Sequence, residues 1–315
     1  MTLSLKPDHL KRYRDIGLLL LRYVDSDLIK TASLDEALLL ETESDLPADS
    51  EKAKRFAADL EKMGPSFIKL GQLLSTRPDL LPEHYVRALS RLQDDVEPFE
   101  LAAVNATIES ELGPRISKAF SDFDDEPIAA ASLAQVHRAT LRDGRPVAVK
   151  VQRPGIRQQI LTDFNALQEV VDILARRTDI GRRFAVDELL KELRSALLRE
   201  LDFRLEGQNL RRLKENLASY HTIVLPDPID DYTTSRVLTM EFIEGSPVMS
   251  VGPLQMLEID GERLAADLVR AYLDQILSHG FFHADPHPGN VLVTPDGRIG
   301  LLDLGMVAHL GPNDR

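Results

Sequence analysis

The chain has 315 residues, of which 43% are hydrophobic and 28% charged, so it can bury a substantial core and is not a disordered protein. Its 51 acidic and 38 basic residues give a net charge of −13, which opposes binding to the phosphate backbone of a nucleic acid. It contains no cysteine, which excludes disulfides and thiol catalysis and fits the reducing cytoplasm.

The first half of the sequence is predicted to be mainly helical. The apolar run at 17–24 is too short to span a bilayer and is interpreted as one buried turn of a helix, with docking on a membrane surface as the alternative. Apolar residues at intervals of three and four predict a helix over 52–63. Gly64-Pro65 ends it and begins another helix, on which Lys69 and Gln72 share a face. Two more helices are predicted over 82–93 and 98–112.

The pattern changes to strands at Leu133. A strand over 133–141, a turn at Asp143-Gly144 and an alternating strand over 146–151 predict a hairpin. Because side chains alternate along a strand, Ala148 and Lys150 share the face opposite the valines. The second strand therefore presents a single lysine beside a small residue, a pattern also found in lysines that are simply solvated.

The remaining elements alternate between helices and short strands. Helices are predicted over 156–177 and 186–216, strands over 222–225 and 236–243, and a helix over 264–279. A final hairpin is predicted from strands at 290–293 and 299–302 and a turn at 295–297.

The strongest functional pattern lies near the end of the chain. His283-Ala284-Asp285-Pro286-His287-Pro288-Gly289-Asn290 is followed by Asp303-Leu304-Gly305. An Asp, an Asn five residues later and a second Asp in an Asp-x-Gly turn have the spacing by which protein-kinase-like folds hold the metal and γ-phosphate of ATP. Asn290 and Asp303 are oxygen donors suited to Mg²⁺, Asp285 would face the acceptor oxygen or orient a water, and Lys150 would lie near the phosphates.

Two other segments fit the same chemistry. Residues 237–245 resemble the strand and hinge that bind adenine in kinases, with Met240 as gatekeeper and the backbone of Glu241 and Ile243 at the base edge. Where kinases have a glycine-rich loop over the phosphates, this chain has Ala129-Ala130-Ala131-Ser132. Alanine restricts the close backbone approach to phosphate that glycine allows. We therefore expect the nucleotide phosphates to be bound differently than in kinases with a glycine-rich loop.

Each motif has an alternative interpretation. A lone Asp-x-Gly is usually only a turn. His283, Asp285 and His287 alternate and could meet one metal ion, as in a two-metal hydrolase. The further histidines of such a site are not clustered here, and that interpretation leaves the spacing of Asn290 and Asp303 unexplained. A lysine strand, a hinge, a catalytic loop and an Asp-x-Gly in this order favour a kinase-like site.

Together these motifs resemble the UbiB family of atypical kinases, also called AarF-domain proteins. The resemblance covers 69–305 and includes the Lys-x-Gly-Gln helix, the alanine loop and the acidic segment with Glu200, Asp202 and Glu206. It implies that Lys69 and Gln72 meet Glu200 and Asp202 across the site where a protein substrate would bind. It also implies that Glu206 pairs with Lys150. Without it, these acids would be interpreted as a solvated helix face.

The resemblance implies an α+β, protein-kinase-like fold with a helical extension at its N-terminus. We expect an extension over 1–115, a kinase-like N-lobe with inserted helices over 116–245, and the start of a C-lobe over 246–315. Because the sequence ends soon after Asp303, the C-lobe is expected to be truncated, with uncovered apolar surface on its first helix.

The function expected from this resemblance is a Mg²⁺-dependent, ATP-binding phosphotransferase or ATPase that does not act on proteins. Its expected partners are a lipid or quinone precursor and quinone-synthesis proteins at the inner face of a membrane, in support of ubiquinone biosynthesis. One alternative is a kinase for a small alcohol or an antibiotic, which the His287-Pro288-Gly289 segment favours. Another is a module that binds a nucleotide without turning it over.

Overall fold

The chain is described from a computed structural model, which gives the positions of residues 7–24, 47–92, 96–113, 116–177, 186–252, 259–284 and 287–311. It forms two compact units that alternate along the sequence. The first comprises Met1–Glu97, Ala130–Leu133 and Gly155–Leu198, and the second comprises Pro98–Ala129, Ala134–Pro154 and Arg199–Arg315. The three-part division with boundaries at 115 and 245 stays a prediction.

The described helices are, in chain order, α1 (Pro7–Val24), α2 (Pro47–Lys62), α3 (Pro65–Ser75), α4 (Glu83–Leu89), α5 (Leu101–Leu112), α6 (Ile116–Ala119), α7 (Ile156–Arg177), α8 (Val186–Glu200), α9 (Phe203–Asn216) and α10 (Gly261–Leu273). A π-helical segment, Asp274–His279, continues α10.

The described strands are β1 (Phe120–Phe123), β2 (Ala129–Ala130), β3 (Ala134–Leu141), β4 (Pro146–Gln152), β5 (Ile223–Val224), β6 (Val237–Glu241), β7 (Ser246–Pro247), β8 (Phe281–His283), β9 (Val291–Val293), β10 (Ile299–Leu301) and β11 (Val307–His309). Single 3-10 turns occur at Asp230–Tyr232, Val248–Ser250 and Pro288–Asn290.

In the first unit, α1 packs on α7 and α3 packs on α2, α4 and α7. Arg12 of α1 donates two hydrogen bonds of 2.6 Å to the carboxylate of Asp163 on α7. Such a bidentate, charge-assisted pair fixes both position and orientation. The apolar run at 17–24 lies on α1, as predicted, with Leu19 and Tyr23 buried and Leu18 exposed.

Helix α3 approaches its neighbours most closely at Gly71. A Cβ atom added there would overlap the side chain of Leu92 and lie 3.0 Å from Leu60 Cδ1 and 3.3 Å from Leu89 Cδ2. All three leucines are buried, so the interior leaves no room for a side chain at this position. Packing therefore requires the glycine that the sequence places between Lys69 and Gln72.

The second unit contains an antiparallel sheet with strand order β1-β3-β4-β6. On β4 the side chains of Val147, Val149 and Val151 enter a core shared with α5, whereas Ala148 enters a separate core on the other face. The predicted alternation along this strand is confirmed. It leaves Lys150 on the face of Ala148.

A smaller sheet in the second unit has strand order β5-β10-β9-β7. Strands β9 and β10 form the predicted final hairpin, in which Ile299 lies opposite Val293. Strand β8 pairs with β11, with His283 opposite Val307. Taken together, the described residues form the expected mixture of helices and sheets, an α+β architecture.

The structure corrects the single helix predicted over 186–216, which is two helices, α8 and α9, separated at Leu201-Asp202. Asp202 caps α9, because its carboxylate accepts a hydrogen bond from the Arg204 N–H. Its φ of −106° and ψ of 92° are extended rather than helical. Apolar periodicity continued through this capping residue and concealed the break.

The segment from α10 through the π-helical turn has an exposed apolar stripe. Val269, Leu273 and Leu277, four residues apart, are each at least 50% exposed. Across the helices that the structure describes, none combines the length and the hydrophobicity needed to cross a membrane.

Candidate nucleotide site

The site is built on Lys150, near the end of β4. Lys150 lies opposite Val136 of β3 and Leu238 of β6, so apolar side chains border it on both neighbouring strands. Its side chain is only 13% exposed. A largely buried ammonium group requires partners, and two carboxylates provide them.

Glu206, on the first turn of α9, is the first partner. Lys150 Nζ donates to both carboxylate oxygens of Glu206 at 2.9 Å, and the Glu206 side chain is 3% exposed. The ion pair that the family resemblance implied is therefore present. It joins strand β4 to helix α9 across 56 positions of sequence.

Asp303, which follows β10, is the second partner. Its Oδ2 accepts from Lys150 Nζ at 3.2 Å, and its Oδ1 accepts from the Gly305 N–H at 3.1 Å. Asp303 has a φ of 48°, which is positive and unusual for a residue with a side chain. Its side chain is 48% exposed, so this carboxylate meets both Lys150 and solvent.

The three charges shift one another's proton affinity. Burial alone would lower the pKa of Lys150, but the negative charges of Asp303 and Glu206 outweigh it and raise that pKa above its usual value. Burial raises the pKa of Glu206 to about 7; Lys150 opposes this rise, while the charge of Asp303 adds to it. Lys150 therefore stays a cation, and Glu206 is the member of the group that can take up a proton near neutral pH.

Asn290 ends the 3-10 turn that precedes β9. Its backbone N–H donates to the His287 carbonyl at 2.8 Å, and its carbonyl accepts from the Leu302 N–H at 2.8 Å. The second bond ties Asn290 to the residue next to Asp303. The two predicted magnesium ligands thus come from adjacent, hydrogen-bonded segments, and their metal-binding role stays a prediction. Asp285 lies outside the described residues.

The histidines of the alternative hydrolase site have separate contacts. His283 is buried on β8, and its Nδ1 lies 3.2 Å from the Tyr272 hydroxyl. His287 is exposed and accepts the Gly289 N–H at its Nδ1. In the part of the chain that the structure describes, no three His, Asp or Glu residues are placed to hold a metal ion together.

Residues 241–245, called the hinge segment here, begin at the last residue of β6. Met240 is buried opposite Ala148. The Glu241 N–H donates to the Asp227 carbonyl at 2.8 Å, so this donor is already used within the protein. A cleft of about 270 Å³ borders the segment, lined by Glu241, Phe242, Ile243, Glu244 and residues of the β9–β10 turn. Adenine contacts by Glu241 and Ile243 stay a prediction.

The alanine loop begins at β2. Just before it, the Ile128 N–H donates to the Val136 carbonyl at 2.8 Å. Ala129 is exposed, Ala130 and Ala131 are partly exposed, and Ser132 is buried. Contact of this loop with a nucleotide stays a prediction.

The predicted occluding residues are distributed over both units. Lys69 and Gln72 lie on α3 of the first unit, where the Gln72 side-chain amide donates to the Leu92 carbonyl at 3.2 Å. Glu200 and Asp202 belong to the second unit, where Asp202 accepts two hydrogen bonds, of 2.7 and 2.8 Å, from the Arg204 guanidinium. The expected contact between the two pairs stays a prediction.

Sequence reasoning missed three residues that support the site. The Phe203 ring centroid lies 5.3 Å from Lys150 Nζ, and Asn209 donates to the Leu304 carbonyl at 3.0 Å. Gln152 donates to the Leu201 carbonyl at 2.8 Å and ties β4 to the start of α9. Spacing could have identified them, since 203 and 209 lie three residues on either side of Glu206 and 152 lies two after Lys150.

Comparison with known proteins places this geometry in a family. The model of the ABC1 atypical kinase-like domain matches residues 91–315. Protein ACTIVITY OF BC1 COMPLEX KINASE 8, chloroplastic, from Arabidopsis thaliana is 42% identical over 268 residues, covering 84% of this chain and 35% of the relative. Probable protein kinase UbiB from Cellvibrio japonicus is 40% identical over 242 residues, covering 77% of this chain and 44% of the relative.

A solved structure supports the fold assignment. Rv3197 from Mycobacterium tuberculosis, in a complex with erythromycin, is 29% identical and superposes with a TM-score of 0.56 over 84% of this chain and 66% of that one. The expected kinase-like fold is thereby confirmed. The chain spans less than half the length of the two kinase relatives named above.

Proposed function

Because this chain belongs to the ABC1 atypical kinase-like family, whose domain model its residues 91–315 match, we propose that it is a kinase-type enzyme that binds ATP with Mg²⁺. The UbiB relative and the BC1 complex kinase relative both carry the word kinase in their names. We extend this kinase activity to the present chain and assign its parts to particular residues.

The observation that carries the proposal is the group formed by Lys150, Glu206 and Asp303. Lys150 and Asp303 are 153 positions apart, yet their charged groups lie 3.2 Å from each other. An ion pair with a purely structural role would need only the buried Glu206. A second, half-exposed carboxylate on a residue with positive φ supports a functional role, because strained backbone is concentrated at ligand sites.

Each residue has a part in this proposal. Lys150 holds the phosphates and is kept in place by Glu206, while Asp303 and Asn290 supply oxygen ligands to the metal. Held by these residues, Mg²⁺ would neutralise negative charge on the phosphoryl group. Asp285 would orient the acceptor oxygen or a water. Holding the two reactants in line contributes about 7–11 kcal/mol of barrier reduction in well-oriented systems.

We further propose that the acceptor is a small molecule or water rather than a protein. The alanine loop and the Lys69-to-Gln72 helix support this, since the resemblance places that helix over the protein-substrate site. A lipid or quinone precursor, handled at the inner face of a membrane, is the proposed partner, in support of ubiquinone biosynthesis. One relative is named a probable protein kinase, so a general protein acceptor must be included in the assay.

A second candidate function is binding or modification of an antibiotic. It is favoured by the structure of Rv3197, which was solved in a complex with erythromycin. Erythromycin is therefore the first small molecule to test as a ligand of this chain, alone and together with MgATP.

The test is thermal unfolding with and without MgATP, followed by measurement of ADP release. A ligand that binds only the folded state at one hundred times its Kd stabilises that state by about 2.7 kcal/mol. Wild-type protein should therefore unfold several degrees higher with MgATP. Asp303→Asn should remove the magnesium dependence of this shift. Asp122→Asn, a change of an exposed carboxylate on β1, is the matched control and should behave as wild type.

Three outcomes separate the hypotheses. Stabilisation without ADP release, even with lipid or quinone precursors, would favour the non-catalytic module. An Asp303→Asn variant that turns over ATP as fast as wild type would contradict the metal assignment. Wild-type protein that MgATP does not stabilise at all would contradict the proposed function.

A further inference from the structure

A second cationic side chain lies on the sheet face that carries Lys150. In the register of β3 with β4, Arg138 is directly opposite Ala148, and Ala148 is in turn opposite Met240 of β6. Residues that face each other in an antiparallel pair project from the same side of a sheet. Arg138 therefore shares the face of Ala148 and Lys150.

Arg138 is displaced from Lys150 toward the hinge segment. Ala148 and Lys150 are two residues apart on β4, which corresponds to about 6.6 Å along a strand. Met240 is the last residue before the hinge segment. Arg138 consequently lies at the hinge end of the face, and Lys150 lies further along the strand.

The guanidinium of Arg138 is oriented by an aromatic ring. It lies 4.7 Å from the centroid of Phe242, the second residue of the hinge segment. Phe242 is half-buried and packs against the core that includes Ala148 and Met240, whereas Arg138 is exposed. An arginine prefers to lie over an aromatic face, so a fixed ring presents the guanidinium in a defined place.

The hinge segment itself is held by close packing on the smaller sheet. A Cβ atom added to Gly300 of β10 would lie 3.2 Å from Ile243 Cγ2, and one added to Gly245 would lie 2.9 Å from the Val293 carbonyl oxygen. Such contacts leave little room for the segment to shift. Phe242 is thereby a rigid support for Arg138.

We propose that Arg138, oriented by Phe242, stacks on the purine base of the bound nucleotide and makes the site selective for a base. This inference rests on the proposed function, in which Lys150 contacts the phosphates, and on the predicted contact of the Glu241 and Ile243 backbone with the base edge. A base between these points lies on the sheet face beside Arg138. The guanidinium suits this role because it is planar and weakly hydrated.

Two simpler roles for Arg138 give different results. If Arg138 only covers Phe242, replacing Arg138 would leave the affinity for nucleotide unchanged. If Arg138 contacts the phosphates, replacing it would weaken the binding of any polyphosphate, with or without a base. Comparing MgATP with magnesium tripolyphosphate therefore separates contact with the base from contact with the phosphates.

The experiment is calorimetric titration of the full chain with these two ligands. Arg138→Leu should weaken MgATP binding about three- to tenfold, the range expected of a cation–π contact, and leave tripolyphosphate binding unchanged. Arg138→Lys keeps the charge but not the plane and should show most of the same loss. Phe242→Leu should weaken MgATP binding, and its effect should not add to that of Arg138→Leu.

The matched control is Arg145→Leu, a change of an exposed arginine in the β3–β4 turn that pairs with Asp143 at 2.7 Å. It should bind both ligands as wild type does. Equal weakening of both ligands by Arg138→Leu, or no weakening of MgATP, would overturn the base-stacking role while leaving ATP binding intact. Wild-type protein that binds neither ligand would instead refute the proposed function, and the inference with it.

Discussion

The central prediction is that the effect of Glu206→Gln on stability changes sign when Lys150 is removed. In the wild-type protein Glu206 is 3% exposed and receives two hydrogen bonds of 2.9 Å from Lys150. Glu206→Gln keeps the shape but weakens the charge-assisted bonds, which contribute about 1.5–3 kcal/mol each. Lys150 keeps Asp303 as a partner, so we expect a loss of about 1–3 kcal/mol in the free energy of unfolding.

In a Lys150→Met background the same substitution should be stabilising. Glu206 would then be a buried carboxylate without its cation. Burying this unpaired charge costs free energy, and Glu206 would avoid the cost by taking up a proton. At pH 7.5, about three units above the ordinary value of 4.5, protonation costs about 4 kcal/mol, which sets an upper limit on the penalty. Glu206→Gln removes this penalty, so the double variant should be about 2–4 kcal/mol more stable than Lys150→Met.

The effect of pH supplies an internal check. Glu206 has a raised pKa in the folded protein, so its contribution to stability is fully present below the unfolded value and is lost as the pH rises. The gap between Lys150→Met and the double variant should therefore shrink by about 1.4 kcal/mol for each unit that the pH falls from 7.5. The assay is chemical unfolding followed by circular dichroism, because the chain has no tryptophan. The same sign for Glu206→Gln in both backgrounds would refute the reasoning.

Three further predictions concern packing and protonation. Gly71→Ala should cost about 1–3 kcal/mol through overlap with Leu92, whereas Gly17→Ala on α1, where no atom lies within 4 Å of the new Cβ, should stabilise by about 0.5–1 kcal/mol; thermal unfolding of both variants checks this. Burial lowers the pKa of His137 in the folded protein. The contribution of this histidine to folding stability is therefore present above pH 6.5 and is lost as the pH falls. The stability advantage of wild type over His137→Leu should thus decline below pH 6.5, and a constant difference would contradict this. Phe203→Leu should raise the KM for ATP more than it lowers kcat, because the ring lies 5.3 Å from the Nζ of Lys150, the residue proposed to hold the phosphates.

Much of the fold was predictable because local patterns agreed with the final packing. The valines of β4 alternate, and the structure places them in one core and Ala148 in another. The break between α8 and α9 was not predictable from periodicity, because the apolar pattern continues across Asp202 while its side chain caps a new helix. The spacing of apolar residues indicates which face of a helix is buried. A capping aspartate does not interrupt that spacing, so the spacing does not show where one helix ends and the next begins.

The candidate site was predictable in its members more than in its contacts. The order of motifs identified Lys150, Asn290 and Asp303, and the family resemblance supplied Glu206. The bond between Lys150 and Asp303 and the positive φ of Asp303 depend on how distant segments meet. No local rule of sequence contains that information. Arg138 is a similar case, since only the strand register shows that it shares the face of Lys150.

The chain leaves the second unit after Pro154 and returns at Arg199, between the two residues of the central ion pair. Lys150 and Glu206 can therefore meet only after the whole intervening segment has been synthesised. Asp303 joins them later still, from 153 positions away from Lys150, although the extra loop-closure cost over the 56-position pair is only about 1 kcal/mol. During synthesis from the N-terminus, the buried pair of Lys150 and Glu206 is thus expected to form before Asp303 joins it.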